Sequence, residues 1–88
     1  MMNKLMESIS KKGYIYNVVD DTTVEVSFMN FMAQFHITDS GKYMVSLFDN
    51  DNILIDYRIY IKVGFAIRFM MMYREEEKQR EIEKILEG

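Results

Sequence analysis

"VEVSFMNFMAQFHI", residues 24–37, carries two alternations that do not share a phase. Val24, Val26 and Phe28 are apolar against polar Glu25 and Ser27. After that, Met29, Phe31, Ala33, Phe35 and Ile37 are apolar against Asn30, Gln34, His36 and Thr38. Successive side chains of a strand face opposite ways, so a change of parity means an inserted residue. A β-bulge or sharp bend near Phe28-Met29 is the simplest account. Phe28, Phe31, Met32 and Phe35 also fit the i, i+3, i+4, i+7 template of a helix. The strand is preferred because the alternation persists to Ile37 and sets Ala33 and Ile37 on the same face as Phe31 and Phe35, which a helix does not.

Outward from this segment, strands and turns alternate. "YIYNVV" (residues 14–19) is rich in β-branched and aromatic residues and predicts a strand, and "DDTT" (20–23) a polar turn. "TDSGK" (38–42) predicts a hairpin loop with Gly41 free to take a positive φ. "KYMVSLF" (42–48) is a third strand and "DNDN" (49–52) a turn. "ILIDYRIYI" (53–61) is a fourth strand, with Ile53, Ile55, Tyr57, Ile59 and Ile61 on one face and Leu54, Asp56, Arg58, Tyr60 and Lys62 on the other.

Helices are expected at both ends. Residues 3–12 have Asn3 as N-cap, an apolar stripe of Leu5, Met6 and Ile9, and Gly13 as the C′ residue. Residues 65–87 begin with the stripe Phe65, Phe69, Met72 and Tyr73, continue through the charged run "REEEKQRE", and end on Ile82, Ile85 and Leu86. The expected fold is a single α+β domain over residues 1–88. It has a four-stranded antiparallel meander sheet over 14–62 and two helices covering one face.

Composition narrows the function. Eighty-eight residues make one small domain, and an apolar content of 49% is enough to build a core. There is no cysteine, which removes disulfides and thiolate metal sites and fits a reducing compartment. A net charge of −3 lacks the basic excess of a general nucleic-acid binder. The opening "MMNKLMESISKKG" has no apolar signal-peptide core, and "IYIKVGFAIRFMMMY" is broken by Lys62, Gly64 and Arg68 and is too short to span a bilayer. Neither direct nucleic-acid binding nor a membrane is expected.

Catalytic signals are thin. His36, the single histidine, has no acid two or four residues away and belongs on the outer face of a sheet. "DNDN" departs from a calcium loop, with Leu54 and Tyr60 where glycine and glutamate are needed. No phosphate loop, nucleophile elbow or zinc motif occurs. No enzymatic activity, cofactor or metal is expected.

Two surfaces stand out instead. Asp20, Asp21 and Glu25 cluster at one hairpin and Asp49 and Asp51 at another; in a four-stranded meander these turns share one end of the sheet and form an acidic patch for a basic partner. Met70 and Met71 widen the apolar arc of the last helix beyond what one sheet face needs, and a methionine-rich surplus is a binding surface. Ile82, Ile85 and Leu86 lie on one helical face beyond the charged run. They are expected to be buried, either against the Leu5/Ile9 stripe or in an oligomer interface.

The layout resembles small phage-encoded anti-defence proteins, in particular the anti-CRISPR inhibitors of type II effector nucleases. "MNKLMESISKKGYIYNV" looks like the short helix and first strand of one such inhibitor, and "DSGKYMVSLFDNDN" is similar to its hairpin. The resemblance implies a non-catalytic, protein-binding inhibitor of a host nuclease complex, acting in the bacterial cytoplasm. The mild net charge sets this chain apart from strongly acidic, DNA-mimicking members. A self-associating structural or regulatory module of a mobile element, a homo-oligomer joined through a sheet edge or the last helix, is the alternative.

Overall fold

A computed structural model describes the backbone of residues 1–87, and the side chains of all of these except Glu81 and Glu87. The chain runs through helix α1 (Met2–Lys11), strands β1 (Asn17–Asp20), β2 (Thr23–Ser27), β3 (Phe31–Ile37), β4 (Tyr43–Asp49) and β5 (Leu54–Tyr60), and helix α2 (Val63–Glu87). The strands form one antiparallel sheet in sequence order, β1-β2-β3-β4-β5. The α+β class, the antiparallel meander and the short and long terminal helices are as the sequence implies. The strand count is five rather than four.

The extra strand comes from residues 24–37. The parity change at Phe28 is a full chain reversal, not a bulge: Phe28 N–H donates to the Phe31 carbonyl at 2.8 Å, and Val24–Ser27 then pairs back on Met32–Phe35. Turns usually carry polar residues because they face water. This one carries Phe28, whose ring stacks on Phe31 at 4.5 Å and meets Tyr14 edge-on at 5.4 Å, so the turn is held by aromatic packing.

α1 begins one residue early. Met1 occupies the cap position without a side-chain hydrogen bond, and Asn3 lies inside the first turn. Its end is as expected. Gly13 takes φ +82°, its N–H donates to the Ser10 carbonyl at 2.9 Å, and Tyr14 N–H donates to the Ile9 carbonyl at 3.4 Å. This pair of bonds is the Schellman arrangement that satisfies the last carbonyls of a helix.

Both helices lie on one face of the sheet. Val24, Val26, Phe31, Ala33, Phe35, Tyr43, Val45 and Leu47 point toward them and are buried with Leu5 and Ile9 of α1 and Val63, Ala66, Ile67 and Met70 of α2. The four α2 residues repeat at i, i+3, i+4 and i+7, the spacing of a single buried stripe. The 25-residue helix is about 37 Å long at 1.5 Å per residue, and the molecule extends 46 Å along its longest axis. From Lys78 to Leu86 every described side chain is exposed, so the distal part of α2 runs past the sheet.

Candidate functional site

The acidic turns divide between the two ends of the sheet. With five strands, the β1–β2 and β3–β4 turns share one end and the β2–β3 and β4–β5 turns share the other. Asp20 and Asp21 therefore lie at the end opposite Asp49 and Asp51, and the single patch expected from four strands does not form. Glu25 is half-buried in β2, opposite Gln34.

Two of these carboxylates are engaged within their own turns. Asp20 Oδ1 accepts the Thr22 N–H at 2.9 Å and the Thr22 hydroxyl at 3.1 Å. The Thr22 backbone N–H is the main reason that the Asp20 carboxyl is held below its ordinary range. Asp49 Oδ1 accepts the N–H groups of Asp51 and Ile53, both at 2.9 Å, closing a turn in which Asn52 takes φ +64°. Such bonds are why aspartate favours turns. Asp21 and Asp51 remain exposed, one at each end.

The same turn reaches His36. His36 Nδ1 lies 3.1 Å from Thr23 Oγ1 and 3.5 Å from Thr22 Oγ1, on the outer face as the sequence places it. No acid neighbours His36 in sequence; the strand pairing of Thr23 with His36 brings the Asp20 turn to it. Two hydroxyls and an imidazole tie the hairpin together. Among the described residues, no group of three or more histidine, aspartate or glutamate side chains is placed to hold a metal ion.

The two methionines separate. Met70 is completely buried in the core, where its thioether completes the α2 stripe, so it is not part of a contact surface. Met71 is half-buried and lines a groove of about 470 Å³ between α1 and α2, with Lys11, Lys12 and Arg68 on its rim. A neighbouring groove carries Lys4, Lys62 and Arg68 again. The helix side thus gathers five cations that are scattered over the sequence, from Lys4 to Arg68. One of the five, Lys11, is paired with Glu7 at 3.3 Å.

The C-terminal tip is uncovered within the chain. Ile82 is 50% exposed, Ile85 79% and Leu86 80%. Leu5 and Ile9 are already buried beneath the first turns of α2, so they offer this tip nothing to cover.

A further apolar surface lies on the outer face of the sheet. Tyr43, Val45 and Leu47 face the helices, and they pair with Tyr60, Arg58 and Asp56. That register turns the polar set of β5 inward and its apolar set outward, the reverse of the usual arrangement. The inward residues are accommodated because Tyr60 packs near Phe65 and Phe69, at 6.4 and 6.2 Å between ring centres, and the Arg58 guanidinium lies 5.4 Å from the Phe69 ring. Ile55, Tyr57 and Ile59 are left 41–52% exposed, next to half-buried Met44 and Phe48 of β4. The alternation of residues 53–61 shows this stripe, but only the pairing with β4 shows which way it faces.

Comparison with protein-family models, curated proteins and solved structures finds no match to this chain. No helix among the described residues is long and apolar enough to cross a membrane.

Proposed function

We propose that the chain is a non-catalytic protein-binding inhibitor whose contact surface is the apolar half of the outer sheet face. The observation that supports this is the outward stripe Ile55, Tyr57 and Ile59, flanked by Met44 and Phe48, on a domain with both helices on the other face. Contiguous exposed apolar surface is what partner-binding faces present. The aromatic and methionine content suits such a face, since tyrosine, phenylalanine and methionine are enriched at interface cores. The layout resemblance supplies the partner class, a host defence nuclease complex in the bacterial cytoplasm.

The test is inhibition of plasmid cleavage by purified type II effector nucleases, with Met44→Asp as the control. Met44 lies on the outer face opposite Ile59, and a charge there disrupts the surface without entering the core. Inhibition by the wild type that is lost in Met44→Asp supports the proposal. No inhibition of any effector in the set, or equal inhibition by the variant, sinks it. The self-associating module is the second reading, favoured by the open edge of β5.

A further inference from the structure

We propose that two copies of the chain pair antiparallel through their β5 edges, about a two-fold axis at Tyr57, to form one continuous ten-stranded sheet. This deepens the second functional reading by fixing the surface, the symmetry and the register.

The two edges of the sheet are managed differently. β1 has four residues and a register irregularity between Val18 and Asp20, and it ends on an acid. Short, bulged, charged edges are the usual protection against pairing with another chain. β5 has seven residues and no proline; its ladder with β4 shifts once, at Ile55, and is regular from Asp56 to Tyr60, the segment that flanks Tyr57. It is long, apolar on its outer side and unpaired.

Its sequence is self-complementary. In "ILIDYRIYI", centred on Tyr57, an antiparallel copy sets Ile55 opposite Ile59, Asp56 opposite Arg58, and Tyr57 opposite itself. The two-fold repeats each pair, so both aspartates meet arginines. A slip by two residues one way sets Asp56 against Asp56 of the second copy, and the other way sets Arg58 against Arg58. An odd slip turns the apolar stripes to opposite faces and mismatches the backbone groups. Of these registers, the one centred on Tyr57 is free of like charges and sets Asp56 and Arg58 of each copy against each other; slips by four shorten the paired strands.

The backbone is poised for the same register. Tyr57 N–H donates to Asp56 Oδ1 at 2.8 Å, and its carbonyl accepts from Arg58 Nη1 at 2.8 Å. In an antiparallel strand each residue directs both its N–H and its C=O to one side. Tyr57's pair is therefore that of the free edge, capped in the single chain by its two neighbours. Asp56 and Arg58 also bond each other at 2.5 Å. Pairing exchanges the caps for reciprocal Tyr57–Tyr57 backbone bonds, and the two ion pairs within the strands, one in each copy, for two between them. Polar groups are satisfied before and after, so burial of Ile55, Ile59 and the tyrosine rings drives association. Phe65, 54% exposed over β5, brings α2 to the same seam.

Sedimentation velocity on the full chain tests this. The wild type is expected to dimerise at micromolar concentration. Asp56→Arg makes both positions positive and Arg58→Asp makes both negative, so each variant sets like charges across its own two-fold and should dimerise at least tenfold more weakly. An equimolar mixture of the two should form dimers, because position 56 of one copy then faces the opposite charge at position 58 of the other. The double reversal D56R/R58D should dimerise as the wild type does.

A wild type that stays monomeric at hundreds of micromolar overturns both this pairing and self-association. A dimer that survives the single reversals keeps self-association and overturns the β5 seam, as does a mixture of folded single variants that stays monomeric. If the single variants do not fold, amide exchange of the wild type decides. Protection at Ile55, Tyr57 and Ile59 that rises with protein concentration supports the seam, and exchange independent of concentration overturns it.

Discussion

The Arg74 guanidinium of α2 lies over the Phe28 ring, 5.5 Å from its centre, and 5.7 Å from the centre of Tyr14. One turn residue thus meets a cation from the far end of the chain, and Phe31 joins the group through Phe28 at 4.5 Å and Tyr73 at 4.8 Å. The cluster pins the β2–β3 turn beneath α2 and fixes how far along α2 packing extends. Phe28→Ala is expected to destabilise the fold by about 2–3 kcal/mol, below the range for a fully buried phenylalanine because this ring is half-buried. Arg74→Ala should cost about 0.5–2 kcal/mol through the lost cation–π contacts. Urea unfolding measures both, and a change under about 0.5 kcal/mol for Phe28→Ala, the ordinary surface range, would show that the turn does not depend on its ring.

Gly13 isolates a backbone effect. A methyl group there meets nothing within 4 Å, so Gly13→Ala meets no steric obstacle. Its φ of +82° is nevertheless one that side chains resist. The substitution should cost about 1–2 kcal/mol from the left-handed conformation alone. Equal stability of the two proteins in denaturant would mean that α1 ends differently.

Asp20 gives the fold an acid-sensitive hairpin. Its carboxyl is held below its ordinary range, chiefly by the Thr22 N–H, so the unfolded chain binds its proton more readily than the folded one. The contribution is fully present above the unfolded value and is lost as pH falls through the folded one. Wild type should exceed Asp20→Asn in stability by a constant margin between pH 5 and 7, an interval chosen to lie about one unit or more above an ordinary aspartate. The margin should shrink toward pH 3. A margin that is flat down to pH 3 contradicts the assignment.

Truncation after Arg80 removes Ile82, Ile85 and Leu86, which are uncovered within the chain. The melting curve of the dilute protein should match full length within about 0.5 kcal/mol, the range of surface changes. A drop of several degrees would show that the tip packs on its own domain. A smaller sedimenting species at unchanged melting temperature would instead place the tip between chains.

Much of the architecture was legible from residue type. Gly13 and Gly41 mark the end of α1 and the β3–β4 loop, and both take positive φ. Asp20 and Asp49 sit where turns need a side-chain acceptor. The reversal at Phe28 was not legible, because Phe28 is apolar for a reason found in Tyr14 and Arg74, both distant in sequence, as well as in nearby Phe31. Missing that turn put Asp20 and Asp49 at one end of the sheet. The direction of β5 was hidden similarly. Alternation separates Ile55, Tyr57 and Ile59 from Asp56 and Arg58, but Phe69 and the β4 register decide which set faces the helices. Arg74 read as the start of a solvated run, while its position over two rings makes it part of the packed helix.

The meander also sets how the chain reaches this structure. Each strand hydrogen-bonds only to strands adjacent to it in sequence, so every sheet contact closes a short loop. Such local topologies fold quickly for β-rich proteins, and with no proline in the chain no slow isomerisation intervenes. The exception is the pairing of α1 with α2, which joins the two termini. On a ribosome, all five strands are made before α2, leaving Val24, Phe35, Val45 and Leu47 uncovered by it until α2 has emerged. α2, made after the whole sheet, closes the core, and the interval before it docks is when the nascent sheet is most exposed to aggregation.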